Sequence, residues 1–162
     1  TQKEHTFLLS AASRFDREAS IMKQQILSQI ESKLGAIGVI AKSDAKTDLY
    51  VEAELLDASF STGKKKIRYE AAILADEADK TVRMYEKTTE LSAGVSFGFS
   101  GESTMQSGKT LFRKVMSVQY GPDGKAYEYT FDLGAIAKTV KYAAEQNGWK
   151  YKTVILKKNA MY

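Results

Sequence analysis

The chain contains no cysteine, one histidine, one proline and one tryptophan in 162 residues. Without a thiol there is no disulfide framework, no cysteine-ligated zinc, no iron–sulfur cluster and no thiol nucleophile. The single imidazole, His5, stands in the polar opening Thr1-Gln2-Lys3-Glu4-His5. A metal site needing two histidines is therefore excluded, and a Ser-His-Asp triad would rest on a ring in a fraying terminus. Carboxylate, lysine or tyrosine catalysis stays open, as does an oxygen-only Mg²⁺ or Ca²⁺ site. Long apolar runs are also missing. No stretch approaches the roughly 18 consecutive apolar residues of a membrane span, so no membrane partner is expected.

What is present describes an ordinary globular chain, 43% hydrophobic and 27% charged, neither collagen-like nor disordered. Its length suits one hydrophobic core and hence a single domain over residues 1–162. No basic stretch followed by an apolar segment and a small-residue cleavage site opens the sequence. A cytoplasmic protein is the default expectation.

The formal charge of +4 is unevenly spread. Residues 147–162 carry Lys150, Lys152, Lys157 and Lys158 without an acid, which accounts for the whole excess. Two further acid-free runs are Lys64-Lys65-Lys66-Ile67-Arg68 and residues 109–114, which include Lys109, Arg113 and Lys114. Aromatic residues adjoin them: Tyr69, Phe112, Trp149 and Tyr151. If the runs meet in space, they form a basic face able to contact phosphates and stack bases. The plainer alternative is a set of solvated strand edges, where lysine blocks edge-to-edge pairing.

Periodicity supplies the elements. Residues 7–11 read as a short apolar strand, with Ser13 capping a helix over 14–34 whose Met22, Ile26, Leu27, Ile30 and Leu34 recur at helical spacing. Gly35 is expected to take the left-handed conformation that ends this helix. Alternation then predicts strands around 49–55, 67–73 and 82–91, joined by the turns Ser61-Thr62-Gly63-Lys64 and Asp76-Glu77-Ala78-Asp79-Lys80. Segments 111–120 and 125–131 flank Gly121-Pro122-Asp123-Gly124, a hairpin signal in which Pro sets φ and Gly supplies φ > 0. Asp132 is placed to cap a second helix over 133–147, Gly148 to close it, and 151–156 to form a last strand. The expected fold is α+β: a largely antiparallel sheet of about six to eight strands, two helices on one face, in β-α-β-meander-α-β order. The second face would then be left mostly open, with Phe112, Tyr120, Tyr127 and Tyr129 among its occupants, and would suit a homo-oligomer or a ligand.

Two motifs invite a helicase reading, and chemistry rejects both. Ser107-Gly108-Lys109-Thr110 looks like the end of a phosphate loop, but Ser103 stands where the earlier Gly is needed for backbone amides to approach a phosphate. The Lys-Thr should also open a helix, whereas 111–120 alternates like a strand. Asp76-Glu77-Ala78-Asp79 precedes the loop instead of following it, and reads as a hairpin tip. The Gly/Ser-rich segment of about 94–110 is expected to be a flexible loop, either a mere connection or a lid with Gly101, Gly108, Lys109 and Thr110 offering amides, charge and a hydroxyl. Asp48, Glu52 and Glu54 form either an oxygen-ligand cluster or, more simply, the polar side of a strand.

These readings assign no catalytic residue, metal or cofactor. They favour a non-enzymatic binding module that meets nucleic acid or another polyanion through Lys64, Lys65, Lys66, Arg68, Lys109, Arg113, Lys114, Lys150 and Lys152. The rivals are a small enzyme or small-molecule binder, with a pocket under the 94–110 loop lined by Phe97, Phe99, Tyr127 or Tyr129, and a purely self-associating structural protein.

Overall fold

A computed structural model describes residues 2–57, 66–91, 102–106 and 113–162. Helix α1 spans Gln2–Ala36. It is followed by β1 (Ala41–Ser43), β2 (Leu49–Asp57), β3 (Lys66–Asp76), β4 (Thr81–Leu91), β5 (Glu102–Gln106), β6 (Lys114–Tyr120) and β7 (Ala126–Asp132), then α2 (Ala135–Gln146), β8 (Lys150–Thr153) and a 3-10 turn over Lys157–Ala160. The fold is α+β, with a mostly antiparallel sheet. Among the described residues no helix is long and apolar enough to cross a membrane.

The sheet runs β5-β4-β3-β2-β6-β7, with β1 also on β2 and β8 also on β4. Strands β2 to β5 form sequential antiparallel neighbours, but β6 crosses back to pair with β2 rather than extending the series. The single parallel pairing among the described residues is β8 on β4, where Lys150 sits opposite Thr81 and Lys152 opposite Arg83. Side chains alternate between faces along each strand. Leu49, Val51, Leu55, Ile67, Tyr69, Ile73, Val82 and Met84 therefore share one face, where they join Ile26, Ile30 and Leu34 of α1 and Ile136 and Val140 of α2 in one buried cluster. We call this the inner face.

The first expected strand is absent. Residues 7–11 belong to α1, which runs unbroken through Ser13; the Ser13 hydroxyl donates back to the Ser10 carbonyl at 2.9 Å instead of capping a helix start. Nor does Gly35 end α1. That role falls to Gly38, at φ 83°, while the Val39 amide returns to the Leu34 carbonyl at 2.9 Å. A β-carbon on Gly38 would lie 2.4 Å from Cγ of Tyr129, so the bare backbone lets the Tyr129 ring lie directly on this turn. The Gly38 carbonyl accepts from Ser117 Oγ at 2.9 Å and Gln119 Nε2 at 3.2 Å. In this way the end of α1 is fastened to the β6–β7 hairpin.

Tyr129 thus belongs to the inner face, packed against the main cluster, and not to an open second face. Tyr127, two residues before it on β7, shares its parity and lies against Gly121; Tyr120 is solvent-exposed, and Phe112 lies outside the described residues. The outer face is itself partly covered. Tyr50, Ala72 and Tyr85 pack there against Val154 and Ala160 of the C-terminal segment. Thr47 Oγ1 donates to the Ala160 carbonyl at 2.7 Å, and the Tyr162 amide donates to the Lys46 carbonyl at 2.9 Å.

The hairpin and the end of the second helix follow their local signals. Gly124 has φ 76°, and the Lys125 amide bonds to Asp123 Oδ1 at 3.0 Å. Asp132 does not cap α2 as expected: the N-cap is Gly134, with no side-chain cap bond, and the Asp132 carboxylate instead accepts from the Gly134 amide at 2.8 Å in the turn just ahead of the helix. Gly148 closes α2 at φ 73°, with the Trp149 amide on the Ala144 carbonyl. Within the segment read as a loop over 94–110, residues 102–106 form β5, and the rest of that segment lies outside the described residues.

Candidate nucleic-acid interface

Strand register decides which basic side chains share a face. Residues paired across strands point the same way. Lys66 faces Leu56, which faces Met116 on β6, two residues from Lys114. Arg68 follows Lys66 on the same side of β3. On β4, Lys87 faces Glu70, and Arg83 faces Lys152 of β8. By this parity Lys66, Arg68, Lys87, Lys114, Lys150 and Lys152 all project from the outer face. Lys66, Arg68, Lys114, Lys150 and Lys152 are exposed, and no ion pair engages them among the described residues.

They do not form one compact patch. Lys66 lies opposite Leu91 and Lys150 opposite Thr81; ten strand positions at about 3.3 Å each put roughly 33 Å between them. Lys66, Arg68 and Lys114 gather at one end of the sheet, and Lys150 and Lys152 at the other. Between them lies the C-terminal segment with Lys157 and Lys158. Carboxylates are interspersed: Glu54 is the cross-strand partner of Arg68, and Glu52 that of Glu70.

Arg113 has a different role from the one expected of it. Its Nε donates to Asp57 Oδ2 at 3.0 Å and its Nη1 to Glu90. The guanidinium side chain is 13% exposed and that of Asp57 only 2%. Burial opposes the positive charge, yet the two carboxylates outweigh it and hold the Arg113 pKa above its ordinary value. This cation is consumed within the fold, between the end of β2 and β4. Lys64, Lys65 and Lys109 lie outside the described residues, as do Phe97 and Phe99 of the expected pocket.

Two polar clusters were not legible in the sequence. Lys157 pairs with Glu70 and donates to the Tyr50 hydroxyl at 3.3 Å. Burial and the neighbouring Glu70 push the Tyr50 phenol up to about 12, and burial would raise Glu70 too, but Lys157 and Tyr50 reverse it and leave its pKa lowered. This pair tacks the C-terminal segment onto the outer face. Asp48, read as one member of an acidic strand face, is buried and separate from the exposed Glu52 and Glu54. It accepts from the Ala75 amide at 2.8 Å, from Lys23 of α1 at 3.1 Å and from the Tyr162 hydroxyl. Burial and this carboxylate push the Tyr162 phenol up to about 12. Among the described residues no group of three or more acids or histidines is set to hold a metal ion.

Comparison with protein-family models, with curated proteins and with solved structures returned no match.

Proposed function

We propose that the protein is a non-enzymatic binding module that meets an extended polyanion, nucleic acid in the first instance, across the outer face of its sheet. The observation carrying this reading is the shared parity of Lys66, Arg68, Lys114, Lys150 and Lys152, all exposed on the face opposite the helices. The two groups are too far apart for a small anion. A polymer suits that spacing, because roughly 33 Å is close to ten steps of a stacked duplex at about 3.4 Å each. Lys157 is held by Glu70, which leaves Lys158 as the cation the C-terminal segment offers between the two ends.

The test is a salt titration of binding to single- and double-stranded oligonucleotides. Affinity is expected to fall linearly in log–log form, with the slope shrinking by roughly one for each phosphate contact removed. Lys66→Glu with Arg68→Glu, and separately Lys150→Glu with Lys152→Glu, should each weaken binding. Absence of binding to either oligonucleotide at low salt refutes the reading. So does binding that neither charge reversal alters.

A further inference from the structure

Helix α1 is buried along only part of its length. Ile26, Leu27, Ile30 and Leu34 are its buried residues, whereas Phe7, Leu8, Leu9 and Phe15 are each more than 60% exposed. The free part carries a regular seam. Leu8, Ala12, Phe15, Ala19, Met22 and Ile26 follow one another in alternating steps of four and three, the 3.5-residue period of a two-helix supercoil. The seam runs without a break into Ile26, which is fully buried in the protein's own core.

Sizes alternate along the exposed seam: Leu8 large, Ala12 small, Phe15 large, Ala19 small. A parallel, in-register pair would stack like on like, setting Ala12 against Ala12 with a void and Phe15 against Phe15 with a clash. An antiparallel pair crossing midway between Ala12 and Phe15 sets Phe15 on Ala12 and Leu8 on Ala19 in both halves, with Met22 meeting His5 in the outermost layers. The flanking positions then bring Ala11 beside Glu18 and Leu9 beside Asp16, so no like charges meet. A notch of about 410 Å³ lies where the second helix would begin, bounded by Ala19 and Met22 of α1, by Glu77, Ala78 and Lys80, and by Trp149.

We propose that α1 is the docking surface for a second copy of this chain, paired antiparallel over about residues 5–22. A lipid surface fits less well, because basic residues on an amphipathic helix favour anionic headgroups and here Lys3, Arg14 and Arg17 are balanced by Glu4, Asp16 and Glu18. Contact over roughly 27 Å of helix buries an area near the lower limit of about 1,000 Å² for a specific interface. Association is therefore expected in the micromolar range.

Sedimentation velocity on the full chain should show a monomer–dimer equilibrium. Phe15→Ala turns two layers into small-on-small and should raise the dissociation constant at least about tenfold; adding Ala12→Phe makes those layers mixed again and should restore dimerisation. Because the chain has no native thiol, Leu8→Cys and Ala19→Cys variants can be oxidised separately and together. A disulfide forming only in the mixture supports the antiparallel pair, and one forming within Leu8→Cys alone overturns it. These positions lie outside the core, so at concentrations where parent and variants are all monomeric, circular dichroism and melting should remain those of the parent. A monomer at about 300 µM, or a monomer that instead binds phosphatidylcholine–phosphatidylserine vesicles, also overturns the proposal.

Discussion

Replacing Gly38 by alanine tests how the end of α1 is locked to the hairpin. At φ 83° an L-residue costs about 1–2 kcal/mol. The new methyl would lie 2.4–2.7 Å from Cγ, Cδ2 and Cβ of Tyr129, so the ring must leave its seat against the core. Displacing this turn also threatens the hydrogen bonds from Ser117 and Gln119 to the Gly38 carbonyl, each worth about 1 kcal/mol. The total is about 3–4 kcal/mol, which for a chain of this size lowers Tm by roughly 10 °C. Urea unfolding of Gly38→Ala should show that loss, whereas in a Tyr129→Ala background the same change should cost only the backbone part, about 1–2 kcal/mol. Gly35→Ala is the control. Its site is helical and open, with nothing within 4 Å of the added carbon, so it should gain up to about 1 kcal/mol. Equal losses for Gly38→Ala in both backgrounds, or a loss below about 1 kcal/mol, would refute the argument.

Arg113→Ala should cost about 3 kcal/mol, since it strips a buried carboxylate of its cation, and should leave oligonucleotide affinity unchanged; weakened binding with intact stability would return Arg113 to the interface. Alkaline titration followed by tyrosinate absorbance should show late phenols. Tyr50 and Tyr162 are both held at about 12, above the ordinary 10.0. A raised pKa means that folding favours the protonated phenol, so this stabilisation is complete below about pH 10 and is lost as pH climbs towards 12. Tyr162→Phe should remove one late phenol, and a folded protein whose tyrosines all titrate at the ordinary value contradicts the assignment.

Local signals were legible where the surrounding fold agrees with them. The alternation in β2 and β3, the Pro-Asp-Gly turn and the face of α2 could be read directly, because each element needs only its own residues to set its period. Residues 7–11 misled because Phe7-Leu8-Leu9 is a short apolar run compatible with either period, and no core contact shows which applies. Gly35 and Gly38 compete as terminators three residues apart; Gly38 takes the turn because the Tyr129 ring, supplied by a distant strand, lies directly over it. In the sequence Arg113 reads as available charge. Its partners lie 56 and 23 positions away in sequence, and no local pattern announces them. The shared parity of the basic strands is likewise a product of register, as is the parallel seating of β8.

The placement of β8 and β6 has a consequence for how the protein acquires its shape. Strands β2, β3 and β4 find partners next to them in sequence, but β6 must return to β2, and β8 reaches β4 from the far end of the chain. Such distant pairings are slow because a long segment must be closed before any contact rewards it. A chain emerging from the ribosome therefore holds its central hairpins early, while Trp149 and Tyr151, which join the inner core, arrive last. Until they do, the edge of β4 beside Thr81 and Val82 stays open to strands from other molecules.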